Sequence, residues 1–317
     1  MDSFVYSINA TVPIFLVMII GGIIRKLNII DEHFVDKANK YVFHVALPLL
    51  LFKDIAEADI RSDFDIHFVL YCMLVTTFSF TVIWILTEVF MKDDTMKGSF
   101  VQGSFRSSAA VLGLAFIQNM YTNTGMAPLM IVSAVPLYNI FSVIVLTFKS
   151  NRADKSGNGK DNIKKAFINI LKNPIIIGIF LGLPFSILQV KFPVIIEKTI
   201  TSVSSTATPI ALIVIGAGFE GRKAIKKIKP TVIGSAIKLV IQAAIFLPVA
   251  VWMGFRNQEL MAILIMLASP STVSCYIMAK NMDNDAVLSS SIIVLTTLLS
   301  SVTLTGLIFL LRMGGYV

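Results

Sequence analysis

The stretch Ala268-Ser269-Pro270-Ser271-Thr272-Val273-Ser274 decides how this chain folds. It interrupts an apolar segment, 260–280, with small and hydroxyl residues where neighbouring segments carry Leu, Ile and Val. Proline has no amide proton and its ring obstructs the preceding turn, so Pro270 breaks or kinks its helix. Backbone groups freed at that depth in a bilayer have to be satisfied by hydroxyls, water or a ligand. A second stretch of the same character, Gly103-Ser104-Phe105-Arg106-Ser107-Ser108-Ala109-Ala110-Val111-Leu112-Gly113, interrupts segment 98–119. Two matched polar breaks point to a crossover where half-helix N-termini, partially positive, suit an anion. The alternative is a proline kink with small residues that let helices pack closely.

The two breaks belong to a larger repetition. Pro13 and Pro174 are 161 residues apart, as are Pro48 and Pro209, while Asn119-Met120 and Asn281-Met282 are 162 apart. The chain therefore reads as one half written twice. Apolar runs give spans at 4–24, 36–56, 68–91, 98–119 and 126–148, then 174–190, 196–219, 231–254, 260–280 and 286–311. Most approach the roughly 20 residues that cross a bilayer; segment 174–190, which holds Pro184, is the shortest. With five spans per half, the second copy enters the membrane from the opposite side. Such inverted repeats are a mark of secondary transporters, whose site lies between the halves. The expected fold is an all-α integral membrane protein of ten transmembrane helices. They form two inverted five-helix repeats, with broken helices 4 and 9 crossing. Residues 1–149 form the first repeat, 150–165 a cytoplasmic linker and 166–317 the second repeat. The linker reads as a plain tether.

Composition agrees. The chain is 56% hydrophobic and 15% charged, against about 45–50% and about 25% for soluble domains. Its net charge of +8 lies in short loops between apolar segments, so it marks membrane topology and not nucleic-acid binding. With the N-terminus outside, 19 lysines and arginines fall in inner loops against six in outer ones. That bias puts both termini outside a cell membrane crossed many times. Met1-Asp2-Ser3 brings no basic n-region, so residues 4–24 read as the first helix and not a cleaved signal. Cys72 and Cys275 fall inside apolar segments and suggest core residues, not a disulfide or metal site. No Walker loop, H-E-x-x-H or G-x-S-x-G is present, so neither an enzyme nor a cofactor is expected. Asp54, Glu88, Glu197 and Glu220 all lie near span ends, which disfavours an antiporter built on buried paired carboxylates.

Arg106 stands about eight residues, roughly 12 Å, inside its segment. A guanidinium there matches a carboxylate substrate; the alternative is snorkelling to the headgroups. Lys238 poses the same choice, with snorkelling favoured. His44, one turn before Pro48, is a candidate proton relay or else a hydrogen-bonded core histidine. Lys53 and Asp54 are candidates for a gate or coupling pair, or else a solvated pair at a helix end. Pro48 and Pro209 shape helices, and Gly178 and Gly182 form a G-x-x-x-G helix-contact face.

The chain resembles the auxin efflux carrier family, which includes bacterial malate and malonate permeases and plant auxin carriers. The resemblance covers essentially the whole length. It is sharpest in Val45-Ala46-Leu47-Pro48-Leu49-Leu50-Leu51-Phe52, in Thr208-Pro209-Ile210-Ala211 and from Ala268-Ser269-Pro270 to Ser301-Val302-Thr303-Leu304. Ala279-Lys280-Asn281-Met282-Asp283-Asn284-Asp285-Ala286 resembles the family's connection between helices 9 and 10. The resemblance implies ten helices in inverted repeats, a scaffold of spans 1, 2, 6 and 7, a mobile transport part and a homodimer. It also implies organic anions as substrates, with crossover positions Ser107, Ser108 and Gly113 in one repeat and Ser269, Pro270 and Ser271 in the other. Two departures stand out: Ser107-Ser108 replace the family's usual asparagine, and Gly113-Leu114-Ala115 lacks its proline. The reading that results is an alternating-access permease for a small organic anion such as malate. The alternatives are a carrier of another small solute such as an amino acid, or a channel-like or receptor protein that binds without cycling. Its partners are the substrate and the lipid bilayer.

Overall fold

The computed structural model describes residues 2–57, 65–109, 126–150, 167–190 and 192–317. Among them every regular element is helical. In hydrocarbon each backbone donor has to find its acceptor within the protein, and among regular spanning structures only helices and closed barrels allow that. Helix α1 covers Asp2–Lys26. Helix α2, Glu32–Tyr41, begins at Asp31, whose side chain accepts from the Phe34 amide at 2.7 Å. It runs through one π turn, Val42–Ala46, into α3, Leu47–Ala56. Pro48 explains the widened turn. Its ring would strike the carbonyl four residues back, and here the Leu47 amide reaches five residues back, to Val42.

Helix α4 is Ile66–Phe90, α5 Asp94–Phe105, α6 Ala127–Phe148 and α7 Pro174–Leu188. Asp65, Asp93 and Asn173 cap α4, α5 and α7 by accepting amides of their first turns. Helices α8, Val194–Ser204, and α9, Ala207–Ala217, follow almost end to end. After the short α10, Gly221–Lys226, come α11, Ile228–Ala236, a π turn at Ile237–Ile241 and α12, Gln242–Trp252. Helix α13, Asn257–Ala268, stops at the polar stretch; α14, Ser274–Asn281, and α15, Ala286–Met313, complete the chain.

Five helical stretches are long and apolar enough to cross a bilayer: Ile66–Phe90, Ala127–Phe148, Val194–Ala217, Ile228–Trp252 and Ala286–Met313. The protein is a multi-pass, all-α membrane protein. Asn119-Met120 and nearly all of the 150–165 segment lie outside the described residues.

Glycines let helices approach backbone to backbone, and two of these contacts form a matched pair. A Cβ on Gly178 would stand 2.5 Å from the Pro48 carbonyl oxygen, and one on Gly182 would stand 2.9 Å from that of Phe52. Helix α7 thus lies backbone to backbone on α3, as the G-x-x-x-G spacing predicts. Helix α1 meets α9 the same way: a Cβ on Gly21 would collide with the Ile213 carbonyl. Gly21 and Gly182 are 161 residues apart, and so are Phe52 and Ile213. The Pro13 and Pro174 pair is different. Pro13 sits inside α1 whereas Pro174 opens α7, so the two share spacing without sharing a structural position.

Because the Gly178 approach is to backbone, a side chain there has nowhere to go. Gly178→Val should destabilise the protein by about 1–3 kcal/mol, read as a lowered thermal unfolding midpoint in detergent. Ile177→Val, at an exposed neighbouring position, should leave the midpoint unchanged.

Candidate functional site

Helices α5 and α13 both stop inside the bundle, and the extended chain that follows each one meets the other. Arg106 leaves α5 with φ −81° and ψ 134°, and Ser269 leaves α13 with φ −69° and ψ 155°. The Ser108 amide donates to the Pro270 carbonyl at 2.9 Å. The Ser107 and Ser269 hydroxyls hydrogen-bond to each other, and the Ser107 hydroxyl also reaches the Ile265 carbonyl at 3.3 Å. The Ser271 amide donates to Thr296 Oγ1 of α15 at 3.1 Å. Ser107, Ser108, Ser269, Pro270 and Ser271 are therefore brought together as the sequence suggests; Gly113 lies outside the described residues.

A helix that ends leaves its last carbonyls without intrahelical partners, and here one neighbouring helix caps both broken ends. Lys238, in the π turn between α11 and α12, donates through Nζ to the Leu267 carbonyl at 2.5 Å and to that of Met266 at 3.5 Å. Gln242, one turn on, donates through Nε2 to the Ser104 carbonyl at 2.6 Å. Tyr138 OH adds a bond to Met266 O at 3.1 Å. A cation at a helix C-terminus also meets the negative end of the dipole. The expectation that Lys238 snorkels is overturned, because its side chain is fully buried against α13.

Arg106 does not snorkel either. It is 5% exposed, and its guanidinium donates to Asn139 Oδ1 of α6 at 2.7 Å and to Met278 Sδ of α14 at 2.8 Å. Among the described residues no carboxylate pairs with it. It borders a cavity of about 60 Å³. Ser107 and Ser108 line the same wall, Thr272 to Ser274 bring the start of α14, and Leu47 to Asp54 of α3 face Ala207 to Ala211 of α9. The cavity lining thus includes a cation, hydroxyls, the start of α14 and a single carboxylate, Asp54.

The structure separates the three coupling candidates. Asp54 lines the cavity, but Lys53 pairs with Glu57 at 2.7 Å, one turn away, so Lys53 and Asp54 are not a pair. His44 is neither buried nor at the cavity. It is exposed, with Nδ1 3.0 Å from the Lys40 carbonyl oxygen. It lies within the π turn Val42–Ala46, ahead of the α3 residues that line the cavity. Cys72 and Cys275 are free and buried. Sequence reading missed Asn139, Tyr138, Thr208 and Gln242. Asn139 and Gln242 each placed an amide inside an apolar run, and that was the available signal.

An apolar helical bundle with a small polar cavity between interrupted helices has the build of a membrane carrier. A profile of the membrane transport protein family matches residues 6–308, and the chain belongs to that family. The resemblance to auxin efflux carriers read from its motifs is thereby borne out. A protein of Rhizobium meliloti (strain 1021) named "Putative malonate transporter" is 25% identical over 289 residues, 87% of each chain. An "Uncharacterized transporter" of Methanothermobacter thermautotrophicus is 22% identical over 305 residues, 95% of this chain and 97% of that one. The "Lysosomal cholesterol signaling protein" of Mus musculus is 25% identical over 253 residues; the match takes in 75% of this chain but only 28% of the mouse protein.

Removing the shared cap should loosen the crossover. Lys238→Met keeps the volume but takes the donor from the Leu267 carbonyl, Met266 keeping Tyr138, at a cost of about 1–3 kcal/mol. Thermal unfolding should show that loss, and Gln242→Leu should show a smaller one because it removes a neutral donor and not an ammonium.

Proposed function

We propose that the protein is a secondary carrier of small organic anions, with carboxylates such as malonate or malate as substrates, working by alternating access. The observation that carries this reading is Arg106. Burying a charge without a partner is costly; among the described residues this guanidinium's hydrogen-bond partners are neutral, and the cavity it borders has one carboxylate, Asp54, that makes no ion pair with it. A substrate carboxylate supplies the missing charge. Ser107, Ser108, Ser269, Pro270 and Ser271 shape its bed, and the N-terminal end of α14 adds a favourable dipole. The name of the Rhizobium relative points to the same substrate class.

The architecture proposed with it is ten spans in two inverted repeats, 1–149 and 166–317, joined by 150–165. Two observations support it. Ser107 touches Ser269, 162 positions on, as expected of residues at the axis relating two copies. The Gly21–Ile213 and Gly182–Phe52 contacts repeat with one offset. Spans 1, 2, 6 and 7 serve as scaffold and the remainder moves. A cavity of about 60 Å³ holds a few waters, well below the roughly 300–1,000 Å³ of ligand sites. Entry therefore requires the α3–α9 wall to part from the crossover. Assembly is a homodimer, and both termini face outside the cell membrane.

Asp54 favours a second reading: a carboxylate facing an arginine suits a zwitterion such as an amino acid. In the first reading Asp54 couples transport to a cation; in the second it binds the substrate amine.

The deciding experiment is malonate uptake into proteoliposomes with and without trapped malonate. Saturable, trans-stimulated uptake is expected, with affinity reduced roughly ten- to hundredfold in Arg106→Ala. Unchanged affinity in that variant overturns the role of the arginine. Asp54→Asn should leave malonate uptake in place while abolishing its response to an imposed ion gradient. If amino acids compete and Asp54→Asn weakens them instead, the zwitterion reading takes over. For topology, a membrane-impermeant maleimide on intact cells should label Met313→Cys and not Lys226→Cys. The buried Cys72 and Cys275 keep the background low.

A further inference from the structure

A second depression, far larger than the cavity, lies on the outside of the bundle between α4 and α11–α12. It is a trough of about 720 Å³ walled almost wholly by apolar side chains, among them Phe78, Leu86, Phe90, Ile233, Ile241 and Ile245. Each of those six is more than 40% exposed, so the trough opens toward the bilayer. From Phe78 to Phe90 it follows α4 for 12 residues, about 18 Å at 1.5 Å per residue. One leaflet of hydrocarbon is about 15 Å deep, half of the roughly 30 Å core. The trough is therefore as long as a leaflet and falls within the size range of ligand sites.

Its mouth carries the second half of the argument. Lys92, just past α4, and Lys229, at the start of α11, both line it. Neither has an ion pair or side-chain hydrogen bond among the described residues. Of the other basic residues nearby, Lys97 pairs with Glu88 and Asp94, Lys227 with Asp285 and Lys223 with Glu220, while Lys226 lies outside the trough. Asp93, the one carboxylate at the mouth, is occupied as well. Its Oδ1 accepts from the Thr95 amide at 2.9 Å and the Thr95 hydroxyl at 2.6 Å, and those bonds hold it below the usual carboxylate range. Two uncommitted ammonium groups thus stand at the headgroup end of an acyl-chain-sized trough.

We propose that this trough is a binding site for an anionic phospholipid, its acyl chain along α4 and α12 and its phosphate between Lys92 and Lys229. The site shares α11–α12 with the crossover. Gln242 lines the trough's floor while its amide caps α5. The lipid therefore presses on the helix whose two side chains hold both broken ends. A basic pocket between helices at the membrane edge is the chemistry that recognises such headgroups.

Native mass spectrometry of the protein released from phosphatidylcholine nanodiscs doped with phosphatidylglycerol tests this directly. Retained phosphatidylglycerol is expected in preference to phosphatidylcholine, with the preference falling roughly fivefold for each of Lys92→Gln and Lys229→Gln. Lys223→Gln and Lys226→Gln, which remove the same charge outside the trough, should leave it unchanged. Ile233→Trp should obstruct the trough beside Lys229 and lower retention of phosphatidylglycerol. Equal retention of the two lipids by the unmodified protein overturns the proposal. So does a loss of preference that follows total charge, with the α10 variants matching Lys92→Gln.

Discussion

Two helices that stop inside an apolar slab leave carbonyls with no water to turn to, and the rest of this structure is arranged around satisfying them. The ends of α5 and α13 lie side by side, so their needs are met from one place. Lys238 and Gln242, four residues apart on a single helix face, reach one end each. The π turn at Ile237–Ile241 lies along this stretch, with Lys238 in it and Gln242 just after it. Bonds between Ser107, Ser108, Ser269 and Pro270 tie the two extended stretches together. Beside them the Arg106 guanidinium lies buried with neutral hydrogen-bond partners, at the edge of a small cavity.

The glycine contacts make the complementary half of the structure. Where α7 lies on α3, and α1 on α9, backbone approaches backbone. Such interfaces resist change in shape because no side chain is available to rearrange. The cavity sits on the border between this rigid group and the crossover, walled by α3 and α9 on one side and by the broken helices on the other.

Much of this was legible in the sequence. Each of the ten apolar runs contains helix, and both polar breaks fall where proline or small hydroxyl residues predict them. The crossover serines were found because hydroxyls are conspicuous among Leu, Ile and Val. The coupling candidates were harder. His44, Lys53 and Asp54 lie within 11 positions of one another, yet only Asp54 faces the cavity. The π turn at Val42–Ala46 alters which face each residue presents, and a pattern read at a regular helical period does not anticipate it. Lys238 and Arg106 were open to snorkelling on length alone; the choice depended on whether an acceptor stood within reach.

The sequence by itself determined that the chain is an all-helical membrane protein, where its helices break, and which family of carriers it belongs to. The first two follow from local properties, namely run lengths, missing amide protons and small side chains; the family follows from the resemblance of its motifs and the profile match over residues 6–308. Only the tertiary structure decided that one helix caps both broken ends, that Arg106 is buried against an amide and a thioether, and that Asp54 lines the cavity while Lys53 turns to Glu57. Each of those joins residues far apart in the chain or depends on which side of a helix meets a neighbour. Hydrophobicity and spacing record that a group is buried; the partner that satisfies it is fixed only when the helices pack.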